Sequence, residues 1–198
     1  AEYEVRIYDT NLQLVDIMED YEYLNWTRKW QTGNNFSLSI NHYSKSAKYL
    51  KEDYYIDIWR NGSREFIGII EHKNIELNQD GKITENWEIK GKTILSRRIC
   101  LPPSGSAYDE IEDNGESVLK HFVDANIVNP TDANREIDVL INGNNQNRGT
   151  SILIRARYND LIEKLQEAAV ASELGYEIVF DGTNLVFQII EGTDKSSA

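Results

Sequence analysis

Alternation of apolar and polar residues dominates the first hundred positions. Tyr3, Val5 and Ile7 alternate with polar neighbours, Asp9-Thr10-Asn11 turns the chain, and Leu12, Leu14 and Ile17 follow. Phe36, Leu38 and Ile40 repeat the pattern after a Gly33-Asn34-Asn35 turn, and a period of two marks half-buried strands. Residues 21–30, 54–60, 64–77 and 83–90 are further strand candidates. Asn61-Gly62 and Asp80-Gly81 suit the positive backbone angles of tight hairpins. They predict antiparallel pairing of 54–60 with 64–77, and of 64–77 with 83–90. Hairpin-linked strands hide their edges by closing, so residues 1–103 are expected to form an antiparallel β-barrel.

The period changes after Pro102-Pro103-Ser104-Gly105-Ser106. Asp109-Glu110-Ile111-Glu112-Asp113 has the composition of a solvated acidic linker, which places a domain boundary here and a second domain over 104–198. Val118, Leu119, Phe122, Val123 and the Asn126/Ile127 pair share one helical face, predicting a helix over 115–127 with Asn114 as N-cap and Glu116 at its positive end. Ile137, Val139 and Ile141 form a strand pattern. Ile152, Ile154 and Ala156 are its expected hairpin partner across the Asn142–Gln146 loop, so that the hairpin spans 136–157. A second helix over 160–174 shows a stripe of Leu161, Ile162, Leu165, Ala168 and Ala169. Asp160 and Glu163 are spaced as a capping box, and Gly175 is placed for a left-handed C-terminal cap. A last hairpin over 176–190 should turn at Asp181-Gly182. The class is therefore α+β, mainly β.

Charge sharpens this division. The 198 residues carry a net charge of −12. Residues 1–100 hold sixteen acidic and fourteen basic side chains, a balance of −2, whereas residues 101–198 hold seventeen and seven, a balance of −10. Without a basic stripe the chain does not hold nucleic acid by phosphate neutralisation, nor adsorb to an anionic membrane face. No apolar run has the length of a membrane span, and the start lacks the pattern of a secretory signal. The Asn-x-Ser/Thr matches at Asn25, Asn35 and Asn61 then read as chance. The missing initiator Met reads as a trimmed or partial chain. Cys100 is the single cysteine, which excludes an internal disulfide and a cysteine-rich metal site and suits a small buried filler.

The candidate chemistry is thin. Gly91-Lys92-Thr93 matches the end of a phosphate-binding loop, but Asn86 stands where its other glycine belongs. Ile111 interrupts any calcium-loop spacing among Asp109, Glu112, Asp113 and Glu116. His42, His72 and His121 have no partner at metal-ligand spacing. Ser104 and Ser106 lack the Gly-x-Ser-x-Gly elbow of a serine hydrolase, and no carboxylate pair is nominated for glycoside hydrolysis. No catalytic residue, cofactor or metal is expected. Four tryptophans and eleven tyrosines admit a sugar-stacking surface, but Trp26 and Trp30, an even number apart, share a strand face that core packing explains more simply. Tyr54, Tyr55 and Trp59 split between faces and are candidates for subunit contacts.

The order of parts from Tyr3–Tyr8 through Trp26-Thr27-Arg28-Lys29-Trp30, Gly33, Phe36–Ile40, Phe66-Ile67-Gly68-Ile69-Ile70 and Gly91–Ile99 with Arg97 and Arg98 resembles the tail-hub proteins of long-tailed bacteriophages. Glu191-Gly192-Thr193-Asp194-Lys195-Ser196 is similar to a Gly-x-Asp-Arg-Thr element of that family, with Lys195 and Ser196 replacing Arg and Thr. The resemblance implies a structural protein: a first tube-type barrel with an inserted α+β domain, to be followed by a second barrel. It implies a homotrimeric ring at the distal end of the tail tube in the virion, assembled in the host cytoplasm. The partners it implies are the distal tail protein, the tape-measure protein and a tail fibre or receptor-binding protein. Interface and structural candidates are then Trp26, Trp30, Gly33, Phe36, Tyr55, Trp59, Gly68, Gly91, Arg97 and Arg98, with ring contacts along residues 21–40 and 54–77. A carbohydrate-binding β module and a segment of a cell-wall hydrolase are the rival readings.

Overall fold

A computed structural model describes residues 2–76, 80–81 and 85–192. It divides into two compact units, one made of residues up to Arg28 with Asn34–Ile94, the other of Lys29–Gly33 with Leu95 onward.

The first unit is one antiparallel sheet of seven strands: β1 (Tyr3–Tyr8), β2 (Leu14–Met18), β3 (Tyr21–Thr27), β4 (Asn35–Asn41), β5 (Tyr55–Arg60), β6 (Ser63–Asn74) and β7 (Asn86–Lys92). Their order is β2-β1-β5-β6-β7-β4-β3. Alternation is obeyed closely. Val5, Ile7, Phe36, Leu38, Ile40, Ile56, Ile58, Ile70 and Ile89 share one core with Met18 and Leu50. Asn61 and Gly62 both take positive φ, 50° and 77°, which gives the tight turn between β5 and β6.

The expected closed barrel is corrected to an open sheet. The hydrogen-bonded ladder ends at β2 on one side and β3 on the other. Those two strands are nonetheless consecutive, joined only by Glu19 and Asp20, so Met18 and Tyr21 stand within about 11 Å of one another. The ends of the ladder must therefore curl toward each other. Tyr3 of β1 and Trp26 of β3 meet edge to face with ring centroids 5.6 Å apart, so side chains and a short corner join what hydrogen bonds leave open.

The second unit holds β8 (Asp109–Asn114), α1 (Gly115–Val123), β9 (Leu140–Asn142), β10 (Ser151–Ala156), α2 (Leu161–Ser172), β11 (Leu174–Phe180) and β12 (Leu185–Glu191). Asn114 caps α1 as expected, its side chain accepting from the Ser117 N–H. A π turn, Asp124–Val128, then replaces the last part of the expected helix. Asn126 lies there fully buried. It donates to the Phe122 carbonyl and accepts from the Leu101 N–H, both at 2.9 Å.

Four local expectations fail here. The acidic run 109–113 is strand β8, paired antiparallel with β10. The 136–157 hairpin does not form, because β9 instead pairs in parallel with β12. Two adjacent carboxylates of β8 find partners: Asp109 is buried against His121, and Glu110 pairs with Arg155. Asp160 makes no side-chain cap on α2, and Glu173, not Gly175, takes the left-handed position at its end with φ 57°. Gly175 serves another purpose. A Cβ there would stand 1.9 Å from Trp30 Nε1, so the glycine makes room for an indole.

Candidate functional site

The residues singled out by sequence do not gather in one place. Phe36, Gly68 and Gly91 form a packing device inside the first sheet. A Cβ on Gly91 would lie 2.1 Å from the Ile69 carbonyl oxygen and 2.4 Å from the Phe36 ring. One on Gly68 would lie 2.7 Å from the Phe66 ring. Phe36 pairs with Gly91 across β4 and β7, and the two phenylalanine rings sit 6.1 Å apart. Bare backbone beneath each ring lets strands and rings approach closely. β7 is extended at Gly91-Lys92, which removes the phosphate-loop reading.

Trp59 is the centre of a charged patch on the opposite face of the sheet. The guanidinium carbons of Arg6 and Arg64 lie 4.2 Å and 4.8 Å from its ring centroid. Its Nε1 donates to Asp57 at 2.8 Å, while Arg64 grips the same carboxylate through Nε at 2.8 Å and Nη2 at 3.0 Å. Asp57 is fully buried by these contacts, as charge burial requires. Tyr55, two residues earlier on the same face, is buried too. Arg64 was missed, though the Asn61-Gly62 turn places it opposite Trp59 by simple counting along the hairpin.

Trp30 and Gly33 belong to the second unit. The Trp30 carbonyl accepts from the Tyr176 N–H at 3.1 Å, and its indole lies over Gly175 and within 3.1 Å of a Cβ built on Gly192. Gln31 donates to the Ala169 and Leu174 carbonyls, and Gly33 faces Ile162. β3 ends at Thr27, so Trp30 lies outside the strand that holds Trp26, which corrects their expected place on one strand face. Trp87, almost buried, sits beside His42 with Lys73 over its ring.

Arg97 and Arg98 lie in and after a 3-10 turn, Ile94–Arg97. They line a shallow cleft of about 340 Å³ with Ser96, Ile99, Asn134, Arg135 and Asp160. Arg135 had no sequence signal, since 37 residues separate it from Arg98 and only the fold brings them together.

A buried ionic centre organises the helices. Glu116 is fully buried. It receives Lys120 Nζ at 2.6 Å and Arg148 Nε at 2.9 Å. Burial alone would raise its pKa, but the hydrogen bonds from Arg148 and Lys120 prevail and hold it down at about 2. Lys120 Nζ also donates to the Asn144 carbonyl, and Asn145 to Ser117 Oγ, so the 142–149 loop is tied to α1. Cys100 is buried, which pushes its thiol up to about 12 with help from Asp109, so it stays protonated at neutral pH. Among the described residues, no three His, Cys, Asp or Glu side chains are grouped to hold a metal. The 191–196 element falls largely outside the described residues.

The edges of the first sheet are β2 and β3, so the expectation that 54–77 forms a sheet edge is corrected: β5 and β6 are interior strands with both neighbours in place. Leu14 and Ile17 on β2 and Tyr23 on β3 are exposed there.

Comparison with known proteins adds the lineage. No curated protein matches the chain. The fold is similar to that of a tail protein from Neisseria meningitidis MC58, with a TM-score of 0.55, 14% identity, and coverage of 100% of this chain and 53% of that one. It is similar to the 43 kDa tail protein of prophage MuSo2 from Shewanella oneidensis, with a TM-score of 0.54, 14% identity, and coverage of 93% and 54%. It also resembles an Escherichia coli component of the type VI secretion system, itself structurally similar to the T4 tail proteins gp27 and gp5. That match has a TM-score of 0.53, 7% identity, and coverage of 89% and 46%. The chain spans about half the length of these structures. The family model of the Siphovirus ReqiPepy6 Gp37-like proteins matches residues 4–198, and the chain belongs to that phage tail protein family.

Proposed function

We propose that this chain is the N-terminal portion of a tail-tip hub, a structural ring subunit at the distal end of the tail tube. The observation that carries the reading is a rolled sheet with two open edges in a member of a phage tail family. An edge strand presents unpaired N–H and C=O groups, and the same two edges on every copy can join copies into a closed ring. Exposed Leu14 and Ile17 add apolar surface to one edge, and Tyr23 to the other. In the whole protein a second domain of similar kind follows this one, and three copies form a homotrimer that contacts the distal tail protein, the tape-measure protein and a fibre or receptor-binding protein. The near-neutral balance of the first hundred residues suits a bore through which DNA slides, because counterion release then supplies no affinity. The test is the mass of the full-length protein in solution. Wild type should be a trimer, and Leu14→Lys with Ile17→Lys should release monomers. A trimer that survives both charges, or a wild type that never exceeds one chain, removes the ring reading.

A further inference from the structure

The second unit is strongly acidic, yet its shallow cleft is lined by arginines. We propose that Arg98 and Arg135 form a docking site for a carboxylate side chain on an acidic segment of a partner protein. Both guanidinium groups are fixed before any ligand arrives. Arg98 donates from Nε to the Arg135 carbonyl at 2.8 Å and from Nη1 to the Arg97 carbonyl at 3.0 Å. Arg135 donates from Nη2 to the Ile99 carbonyl at 2.6 Å. Carbonyl dipoles orient these groups without cancelling their charge.

Among the described residues no carboxylate lies within ion-pair distance of either arginine. Asp160 lines the cleft with them and pairs with neither. The remaining N–H groups of each planar fork are the geometry that receives carboxylate oxygens in pairs. The neighbouring charges cost something: burial, then Arg135, then Arg97 lower the Arg98 pKa. A carboxylate seated between the forks removes that repulsion, so complementarity favours an anion here although the unit as a whole repels one.

Size and surroundings choose the occupant. A cleft of about 340 Å³ takes one or two side chains, at the lower limit of ligand pockets. A nucleic-acid strand or anionic bilayer would have to approach a surface of net negative charge over many ångströms, where repulsion acts throughout. A single Asp or Glu on a protein segment reaches the arginines at short range. Ile99, 42% exposed on the rim, offers its aliphatic surface to the methylene stem. This inference does not rest on the tail-tip reading, and its test uses the chain by itself.

The experiment is an NMR titration that follows arginine side-chain Nε–H signals while a blocked tetraglutamate peptide is added. Parallel arms use tetralysine and inorganic phosphate. Saturable shifts of Arg98 and Arg135 with tetraglutamate, weakened by salt and absent with tetralysine, are expected. R98Q and R135Q should each weaken binding at least tenfold, R98K less, and R155Q, at the exposed Glu110 pair, not at all. Thermal melting checks each variant; if R98Q fails to fold, R135Q carries the comparison, because its single anchor lies at the surface. The proposal is overturned by unsaturable shifts, by equal affinity in a folded R135Q, or by phosphate that saturates the site more tightly than the peptide.

Discussion

The two units bury their interiors with different materials. The core face of the seven-stranded sheet relies on aliphatic side chains in strict alternation and on phenylalanine rings laid over Gly68 and Gly91, its buried Asp57 lying on the other face. The helical unit also buries apolar faces, but at its centre it keeps Glu116, Lys120 and Asn126 out of water, each with partners. A core of the first kind is sensitive to volume; a core of the second kind is sensitive to charge. Perturbing each unit in the other's manner shows how far that contrast goes.

The largest effect is expected for Glu116→Ala. It leaves Lys120 and Arg148 without their shared carboxylate and should cost about 3–5 kcal/mol, read by chemical denaturation. Its pH counterpart follows from the lowered pKa. Glu116 holds fewer protons folded than unfolded near pH 4, so its contribution is complete above its ordinary value of about 4.5. It drains as pH falls toward about 2. Acid titration by circular dichroism should therefore show helical signal lost in that window, and the Ala variant should no longer share it. A pH-independent wild type would erase the contrast between the units.

Gly91→Ala comes next, at about 3 kcal/mol, because its new methyl meets a backbone oxygen that cannot rotate aside. Gly175→Ala should cost less, about 1–2 kcal/mol, because the group it strikes is the Trp30 indole, a side chain 41% exposed. A red shift of tryptophan emission would report the displaced ring. Equal losses at the two glycines would show that side-chain yielding plays no part. Smallest is a pair of caps: Asn114→Ala should cost about 1 kcal/mol, and Asp160→Ala within about 0.5 kcal/mol. Only Asn114 makes a side-chain bond to its helix.

Much of the first unit was legible because its rules are local. A period of two with an Asn-Gly turn places Ile56, Ile58, Phe66 and Ile70 in the core and Trp59 opposite Arg64. What stayed hidden was the strand order: nothing near Glu19-Asp20 announces that β2 and β3 lie at opposite ends of a ladder. The second unit was legible in its helices and its last hairpin, and misleading where partners are distant. Asp109–Asp113 has the composition of a linker, and becomes a strand only because Ser151–Ala156 pairs with it. The Trp30 and Gly175 contact likewise spans most of the chain, so a glycine that serves an indole passes for a helix cap. Arg135 joined the arginine cleft for the same reason.

The most direct test of the proposed role is cryo-electron microscopy of the intact phage or prophage particle carrying an affinity-tagged full-length protein. A hub puts three copies in a ring at the distal end of the tail tube, with the seven-stranded sheets edge to edge around an open bore. Density at the head-proximal end, or a particle complete without this protein, contradicts it.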